Sequence, residues 1–104
     1  MIGVLVRFHY SGAFNETRLR EVAEAAHGRF EGMPGLRSKA FTVDAQSQEA
    51  LNFYVWDSEE AARAFFSPQT MQRVTDLYGV RPTLQFTQIA ALVDNGPAHA
   101  RAGV

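Results

Sequence analysis

The 104-residue sequence contains no cysteine. This absence excludes disulfide bonds, cysteine-ligated zinc, iron–sulfur clusters and thiol nucleophiles. The chain also lacks a block of one charge, because ten Lys and Arg residues against eleven Asp and Glu residues give a formal net charge of -1. A nucleic-acid or anionic membrane surface is therefore not expected. No apolar run has the length of a membrane span, and no charged segment precedes the short apolar N-terminal stretch, so we expect a cytoplasmic protein.

Aromatic residues are the one class in excess, with eight Phe, three Tyr and one Trp in the chain. The length allows one domain, in which folding buries about two thirds of the surface of the extended chain. Composition changes at Asp94, after which the sequence turns to Gly, Ala and Pro. We therefore expect one domain over residues 1–93 and a flexible tail over residues 94–104.

Periodic apolar patterns predict the strands and the first helix. The helix begins at the N-cap Asn15 and carries one apolar stripe as far as Phe30, after which Pro34 and its glycine neighbours stop it. Strands are predicted at residues 2–10, 36–43, 50–56 and 83–93.

A second helical segment follows the third strand. It begins at a capping box with Asp57 as N-cap and Glu60 at the third helical position. It restarts at Ser67 and Pro68 and ends at Gly79. The resulting order of strand, helix, strand, strand, helix, strand is typical of the ferredoxin-like α+β fold, a four-stranded antiparallel sheet with two helices on one face. Right-handed crossovers place the first and third strands in the centre.

Both faces of this sheet contain apolar residues, although two helices can cover only one of them. One predicted face is uniformly apolar and carries Val4, Val6, Phe8, Leu51, Phe53, Val55, Leu84 and Phe86. The other mixes aromatic and polar groups, and carries Leu5, Arg7, His9, Lys39, Phe41, Val43, Asn52, Tyr54, Trp56, Gln85, Thr87, Ile89 and Val93. We expect the mixed face to lie under the helices and enclose a small-molecule pocket. The apolar face then joins a second copy in a homodimer, the alternative being a monomer covered by its own tail.

Short motifs resemble the dimeric α+β barrel superfamily. The stretch Asn52–Ala61 resembles the strand, Trp, acidic cap and helix of its small monooxygenases. In the cofactor-free quinol-forming enzymes of antibiotic biosynthesis an Asn and a Trp four residues apart line the pocket, and Asn52 and Trp56 match these positions. Residues 8–14 and 33–36 resemble the YdhR-type proteins, described as putative mono-oxygenases. The resemblance implies a dimeric barrel and oxygenation without a metal or an organic cofactor.

Two departures from the quinol-forming enzymes concern hydroxyl groups. Those enzymes use one pocket tyrosine on the second strand and one early in the second helix. Phe41 and Ala62 stand at these positions, so both hydroxyls are missing. The heme-degrading branch holds iron through a His on the second helix, and residues 58–78 contain no His.

The candidate site follows from the mixed face and from the resemblance. Candidate catalytic residues are Asn52, Trp56 and His9. Candidate substrate-binding residues are Arg7, Phe41, Tyr54, Phe65, Phe66, Tyr78 and Thr87. No spacing of three metal ligands occurs in the sequence.

Each candidate also has a structural interpretation. Trp56 and Tyr54 are equally explained as core residues. Asn52 can make a purely structural hydrogen bond, and Arg7 can pair with an acidic residue. His9 can be a partly solvated strand-end residue instead of a general base.

The predicted function is therefore a small cofactor-independent monooxygenase. Its substrate would be a hydroxylated aromatic or a similar small apolar molecule bound between helices and sheet. The alternative is a non-enzymatic dimeric barrel that binds a small ligand or acts in a stress response. Oxygen uptake that depends on substrate separates the two.

Overall fold

The computed structural model of the protein describes residues 1–95. The elements are β1 (Ile2–His9), α1 (Glu16–Phe30), β2 (Leu36–Asp44), β3 (Glu49–Trp56), α2 (Glu59–Phe65), α3 (Pro68–Tyr78) and β4 (Thr83–Gln88). The four strands are antiparallel and form one sheet in the order β2-β3-β1-β4. This arrangement confirms the predicted ferredoxin-like α+β fold. Within the described residues, no helix is long and apolar enough to cross a membrane.

Side-chain caps define where the helices begin. The Asn15 side chain accepts a hydrogen bond from the Arg18 amide at 3.0 Å, as expected for the start of α1. The N-cap of α2 is Ser58, whose Oγ accepts from the Ala61 amide at 3.1 Å, so the prediction of Asp57 is wrong by one residue. Ser67 caps α3, and the second helical segment therefore consists of two helices.

The last strand is shorter than predicted. The sequence pattern suggested residues 83–93, whereas β4 ends at Gln88, opposite Ile2. Ile2 is the first residue of β1, and one further backbone hydrogen bond, from the Ile89 amide to the Met1 carbonyl at 3.3 Å, closes the pairing of β4 where the chain of β1 begins. Residues 91–95 form neither helix nor strand. The rest of the predicted tail, residues 96–104, lies outside the described residues.

The strand register assigns side chains to the two faces of the sheet. Val4 lies opposite Tyr54, and Val6 lies opposite Asn52. Directly opposed residues in an antiparallel pair share a face. The apolar side chains of β1 therefore lie under the helices together with Asn52, Tyr54 and Trp56.

This register overturns the predicted faces. Five residues predicted for the dimer face belong under the helices: Val4, Val6, Phe8, Leu84 and Phe86. Five residues predicted under the helices lie on the other side: Leu5, Arg7, His9, Gln85 and Thr87. Alternation divides each strand into two faces, but only the pairing register decides which face of one strand adjoins which face of the next.

The side of the sheet away from the helices is called the open face here. Its apolar residues are Leu5, Leu51, Phe53 and Val55. Phe53 is 38% exposed, and its ring lies over Gly3, where an added Cβ would come within 2.9 Å of Cζ. Any larger residue at position 3 would have to displace this ring.

Candidate functional site: a cleft between the sheet and helices α1 and α3

A cleft opens between the sheet and helices α1 and α3. It comprises two adjoining cavities of about 590 and 150 Å³, which share Lys39, Phe41, Asn52 and Tyr78. The larger cavity is also lined by Leu19, Arg20, Ala23, Glu24, His27, Thr42, Val43 and Ala50. The smaller is also lined by Ala26, Arg29, Phe30, Met33, Tyr54, Phe65, Thr70, Arg73, Val74 and Leu77.

A hydrogen-bonded pair occupies the junction of the two cavities. Asn52 is the one buried polar residue of the described chain, and its Nδ2 donates to the Tyr78 hydroxyl at 3.1 Å. Burial raises the pKa of Tyr78, and the bond from Asn52 offsets part of that rise. Tyr78 is therefore a neutral phenol at physiological pH. A phenol oxygen that accepts one hydrogen bond keeps its own proton for a second partner.

The position of Tyr78 is fixed from two sides. Its ring stacks on Phe8 with a centroid distance of 3.8 Å and an angle of 8° between the planes. The Tyr10 hydroxyl donates to the Tyr78 backbone carbonyl at 2.8 Å, at the last residue of α3. The end of α3 is thus tied to β1, and the Tyr78 side chain is held against Asn52.

Lys39 lies in an aromatic cage on the β2 side of the cleft. Its Nζ lies 3.4 Å from the centroid of the Phe30 ring, 4.1 Å from that of Phe41 and 4.3 Å from that of Tyr54. Burial, together with repulsion from the Arg29 guanidinium, lowers the pKa of Lys39 to about 7. Ring faces favour the ammonium form, so the cage opposes that shift. Lys39 can therefore gain or lose a proton close to neutral pH.

Trp56 and Phe66 lie behind the cleft wall. The Trp56 ring stacks on Tyr54 with a centroid distance of 5.9 Å and lies 5.2 Å from Phe65. Phe66 meets Tyr54 edge-on at 5.0 Å. Trp56 is only 1% exposed, and its Nε1 has no hydrogen-bond partner among residues 1–95. Both residues therefore support Tyr54 and Phe65, which line the cleft themselves.

Three of the predicted site residues lie on the wrong side of the sheet. Arg7, His9 and Thr87 are on the open face, so their predicted contact with a ligand under the helices is wrong. Glu49 holds the first two, with 2.6 Å from its Oε1 to Arg7 Nη1 and 3.3 Å from its Oε2 to His9 Nδ1. The alternative interpretation of Arg7, a pair with an acidic residue, is the one observed.

Five of the predicted residues do come together at the cleft: Phe41, Asn52, Tyr54, Phe65 and Tyr78. Lys39 was not among the predicted site residues, because a charge on an edge strand usually discourages pairing with other chains. A signal was present, since Lys39 alternates in phase with Phe41 and Val43. Arg29 and Arg73 lie on exposed parts of α1 and α3, and their spacing gave no indication of a shared cavity.

The titratable groups of the described chain form no metal site. Among residues 1–95, no three His, Asp or Glu side chains come close enough together to hold a metal ion. The polar groups that line the smaller cavity are amide, hydroxyl, ammonium and guanidinium groups. They are hydrogen-bond donors and cations, which interact with an organic molecule or an anion.

Solved structures share this fold. A monooxygenase from the gene ActVA-Orf6 of Streptomyces coelicolor, in complex with nanaomycin D, is 19% identical with a TM-score of 0.64, over 88% of this chain and 89% of that one. SnoaB of Streptomyces nogalater, a cofactor-independent oxygenase, is 17% identical with a TM-score of 0.63, over 88% of this chain and 95% of that one. A dimeric ferredoxin-like protein of unknown function from Thermobifida fusca is 15% identical with a TM-score of 0.65, over 85% and 90%. At these identities the likeness establishes the fold.

The family follows from the sequence itself. No protein with a curated functional description matches the chain. The sequence profile of one family matches residues 4–83, a segment that runs from β1 into the start of β4 and includes every described residue that lines the cleft. The chain therefore belongs to the YdhR family, which is described as putative mono-oxygenase.

Proposed function

We propose that the protein is a cofactor-independent monooxygenase that oxidises a hydroxylated aromatic molecule in the cleft. The observation that carries the proposal is the buried Asn52 amide, hydrogen-bonded to Tyr78 in a cavity with aromatic walls. Membership of a family described as mono-oxygenases supports it. The description of SnoaB as a cofactor-independent oxygenase supports the same chemistry on this fold.

The reaction needs a substrate that supplies its own electrons. In the overall change a phenol and O2 give a quinone and water, so one oxygen atom enters the ring and the other leaves as water. The phenol first loses its proton to solvent at the mouth of the cleft, because the phenolate is the form that reduces oxygen readily. An aromatic cavity with little water raises the reactivity of that anion.

Asn52 and Tyr78 supply donors where negative charge moves from the ring to oxygen. The Tyr78 hydroxyl, already an acceptor from Asn52, is available to donate to an oxygen atom of the substrate. Fixed donors of this kind stabilise developing charge without reorganisation. The Asn52 amide orients the hydroxyl, and the stacked Phe8 ring holds it in place.

Oxygen consumption tests the proposal directly. The purified protein is mixed with 1-naphthol and related dihydroxynaphthalenes in an oxygen electrode, and products are identified by mass spectrometry with 18O2. We expect quinone formation with one labelled oxygen atom per product. Binding of these compounds without oxygen uptake would contradict the proposal.

A non-enzymatic ligand-binding barrel is the second candidate. It is favoured by the departures at Phe41 and Ala62, which leave the cleft without two hydroxyls, and by the position of Trp56 behind the wall. An indole N–H that does not line the cavity cannot stabilise charge on a ligand bound there. Tight binding with no turnover is the result expected for this alternative.

We also propose a homodimer formed through the open face. Leu5, Leu51 and Phe53 remain partly exposed there, because all three helices follow the other face. A sheet face of this kind is a common protein interface. The Thermobifida fusca protein with the same fold is described as dimeric. The ion pair of Arg7 with Glu49 makes this surface more polar than the sequence analysis predicted.

A further inference from the structure

The smaller cavity of the cleft is lined by three basic residues and by no acidic one. Arg29 from α1, Lys39 from β2 and Arg73 from α3 reach it from three different elements. Neither of these arginines nor the lysine forms an ion pair with a carboxylate in residues 1–95. Four other arginines of the described chain are paired, namely Arg7, Arg20, Arg37 and Arg63, whereas Arg18 and Arg81 line neither cavity of the cleft. The cavity therefore combines aromatic walls with uncompensated positive charge.

Lys39 is the most informative of the three. Arg29 and Arg73 are exposed and well solvated, whereas Lys39 is partly buried with its Nζ among three rings. Removing a cation from water costs free energy unless another partner takes the place of the water. The ring faces replace it in part, on the side of Phe30, Phe41 and Tyr54. An anion in the cavity would supply the remaining partner.

We propose that the cleft binds an aromatic acid, with its anionic group on Lys39 and its ring among Phe41, Tyr54 and Phe65. Arg29 and Arg73 attract the anion to the cavity by their charge. This inference deepens the proposed function and rests on it in one respect: the ligand would be the oxidised substrate, a ring that carries a carboxylate or a phenolate. Asn52 and Tyr78, which line the same cavity, then lie close to the ring.

The charge of Lys39 couples binding to pH. The pKa of Lys39 is lowered to about 7, and an anion bound beside the amine raises that pKa again. At a pH above 7, Lys39 therefore takes up a proton when the anion binds. Affinity for an anion should therefore fall as pH rises through 7. Other titratable groups that line the cavities around Lys39 are Arg20, Glu24, His27, Arg29, Glu31, Arg37, Tyr54, Arg73 and Tyr78. His27 lines the larger cavity beside Lys39, so His27→Gln is the control for its contribution.

Calorimetry with a matched pair of ligands tests the proposal. The pair 2-naphthoate and 2-naphthamide has nearly the same shape and differs in charge. We expect the naphthoate to bind roughly 10-fold or more tightly than the amide at about pH 6, since charged hydrogen bonds are the stronger ones. Above about pH 7.5 binding should take up protons, seen as an enthalpy that depends on the buffer.

Substitutions assign the effect to Lys39. Lys39→Met keeps the aliphatic stem and should weaken naphthoate binding roughly 10- to 100-fold while leaving naphthamide binding unchanged. Lys39→Arg should restore most of the preference for the anion. Arg18→Met, on an exposed position of α1 that lines neither cavity, removes the same charge as a control and should have little effect. Near-ultraviolet circular dichroism verifies the fold of each variant.

The results also separate this inference from the proposed oxidation. Equal affinity for the two ligands, no binding of either, or an unchanged preference in Lys39→Met would overturn the inference. If naphthoate binds through Lys39 but hydroxylated naphthoates consume no oxygen, the inference stands and the proposed oxidation fails. If neutral phenols are oxidised without any dependence on Lys39 and naphthoate is not preferred over naphthamide, the proposed oxidation stands and the inference fails.

Discussion

The two faces of the sheet are built from the same four strands but differ in what their polar residues do. Under the helices, Asn52 and Lys39 lie among aromatic rings, without a carboxylate partner in the described chain. On the open face, Arg7 and His9 share the carboxylate of Glu49. A polar group whose hydrogen bonds are satisfied within the fold has none left for a ligand. Donors and cations on a cavity wall can still bind one. This difference supports the proposals made above, of chemistry on the helix side and of association through the open face.

Replacement of Asn52 should have the largest effect. If the protein oxidises phenols, Asn52→Ala should lower kcat roughly 10²- to 10³-fold, because the donor matters most once charge has developed on oxygen. KM should change much less. Oxygen consumption in stopped flow, with whichever of the naphthols proves to be oxidised, measures both. Gln69→Ala, an exposed position at the start of α3, is the control. Equal losses in kcat and in ligand affinity would reduce Asn52 to a structural role.

Phe53→Lys should change the association of the protein. Phe53 lies at the centre of the open face, and a lysine there would place an unpaired charge in the proposed interface. We expect monomers or insoluble protein, with a loss of dimer of at least about 10-fold in equilibrium constant. Sedimentation velocity at micromolar concentration measures it. The control variant is Arg63→Met, on the helix side of the molecule. A wild-type protein that is a stable monomer under these conditions would contradict the proposed dimer.

The sequence predicted the order of elements because each element has its own local signal. Asn15, Pro68 and Gly79 marked helix ends correctly, since caps and breakers act within one turn. The faces of the sheet were not predictable in this way. The pairing of Val4 with Tyr54, and not with its neighbour Phe53, depends on contacts between strands some fifty residues apart. For the same reason Asn52 and Tyr78 were separate candidates in the sequence, and their hydrogen bond is visible only in the fold.

Lys39 should make the stability of the protein depend on pH. Its pKa falls from 10.5 to about 7 on folding, so between these values the unfolded chain binds a proton that the folded chain does not. The free energy of unfolding should therefore rise with pH above about 7. Below that value the ammonium is charged in the folded chain, and the full cost of burying it remains. One pKa unit corresponds to ~1.4 kcal/mol. Because Lys39 is only partly buried, we expect a rise on the order of 1–2 kcal/mol between about pH 7 and pH 9.

Urea unfolding of the wild type and of Lys39→Met measures this rise. The variant should be the more stable of the two near neutral pH, and its stability should be nearly flat over the same interval. The tyrosines do not contribute to the change in stability between about pH 7 and pH 9. Burial raises the pKa of Tyr54 and of Tyr78 above the ordinary value of 10.0, so both stay protonated in this interval. A rise that persists in Lys39→Met would assign it to another group.

Substitutions at His9 and Arg7 should have the smallest effect on the cleft. Both side chains lie across the sheet from Asn52, on the open face, and both are held by Glu49. His9→Gln and Arg7→Met should therefore change ligand affinity and kcat by less than about twofold, the range typical of surface substitutions. If His9 were the base that deprotonates the substrate, His9→Gln would instead lower kcat by about 10²-fold or more. The value of kcat in wild type and variant, measured with the same substrate, distinguishes the two cases, because a side chain on the open face cannot reach a proton of a ligand bound on the helix side, where Lys39 lies.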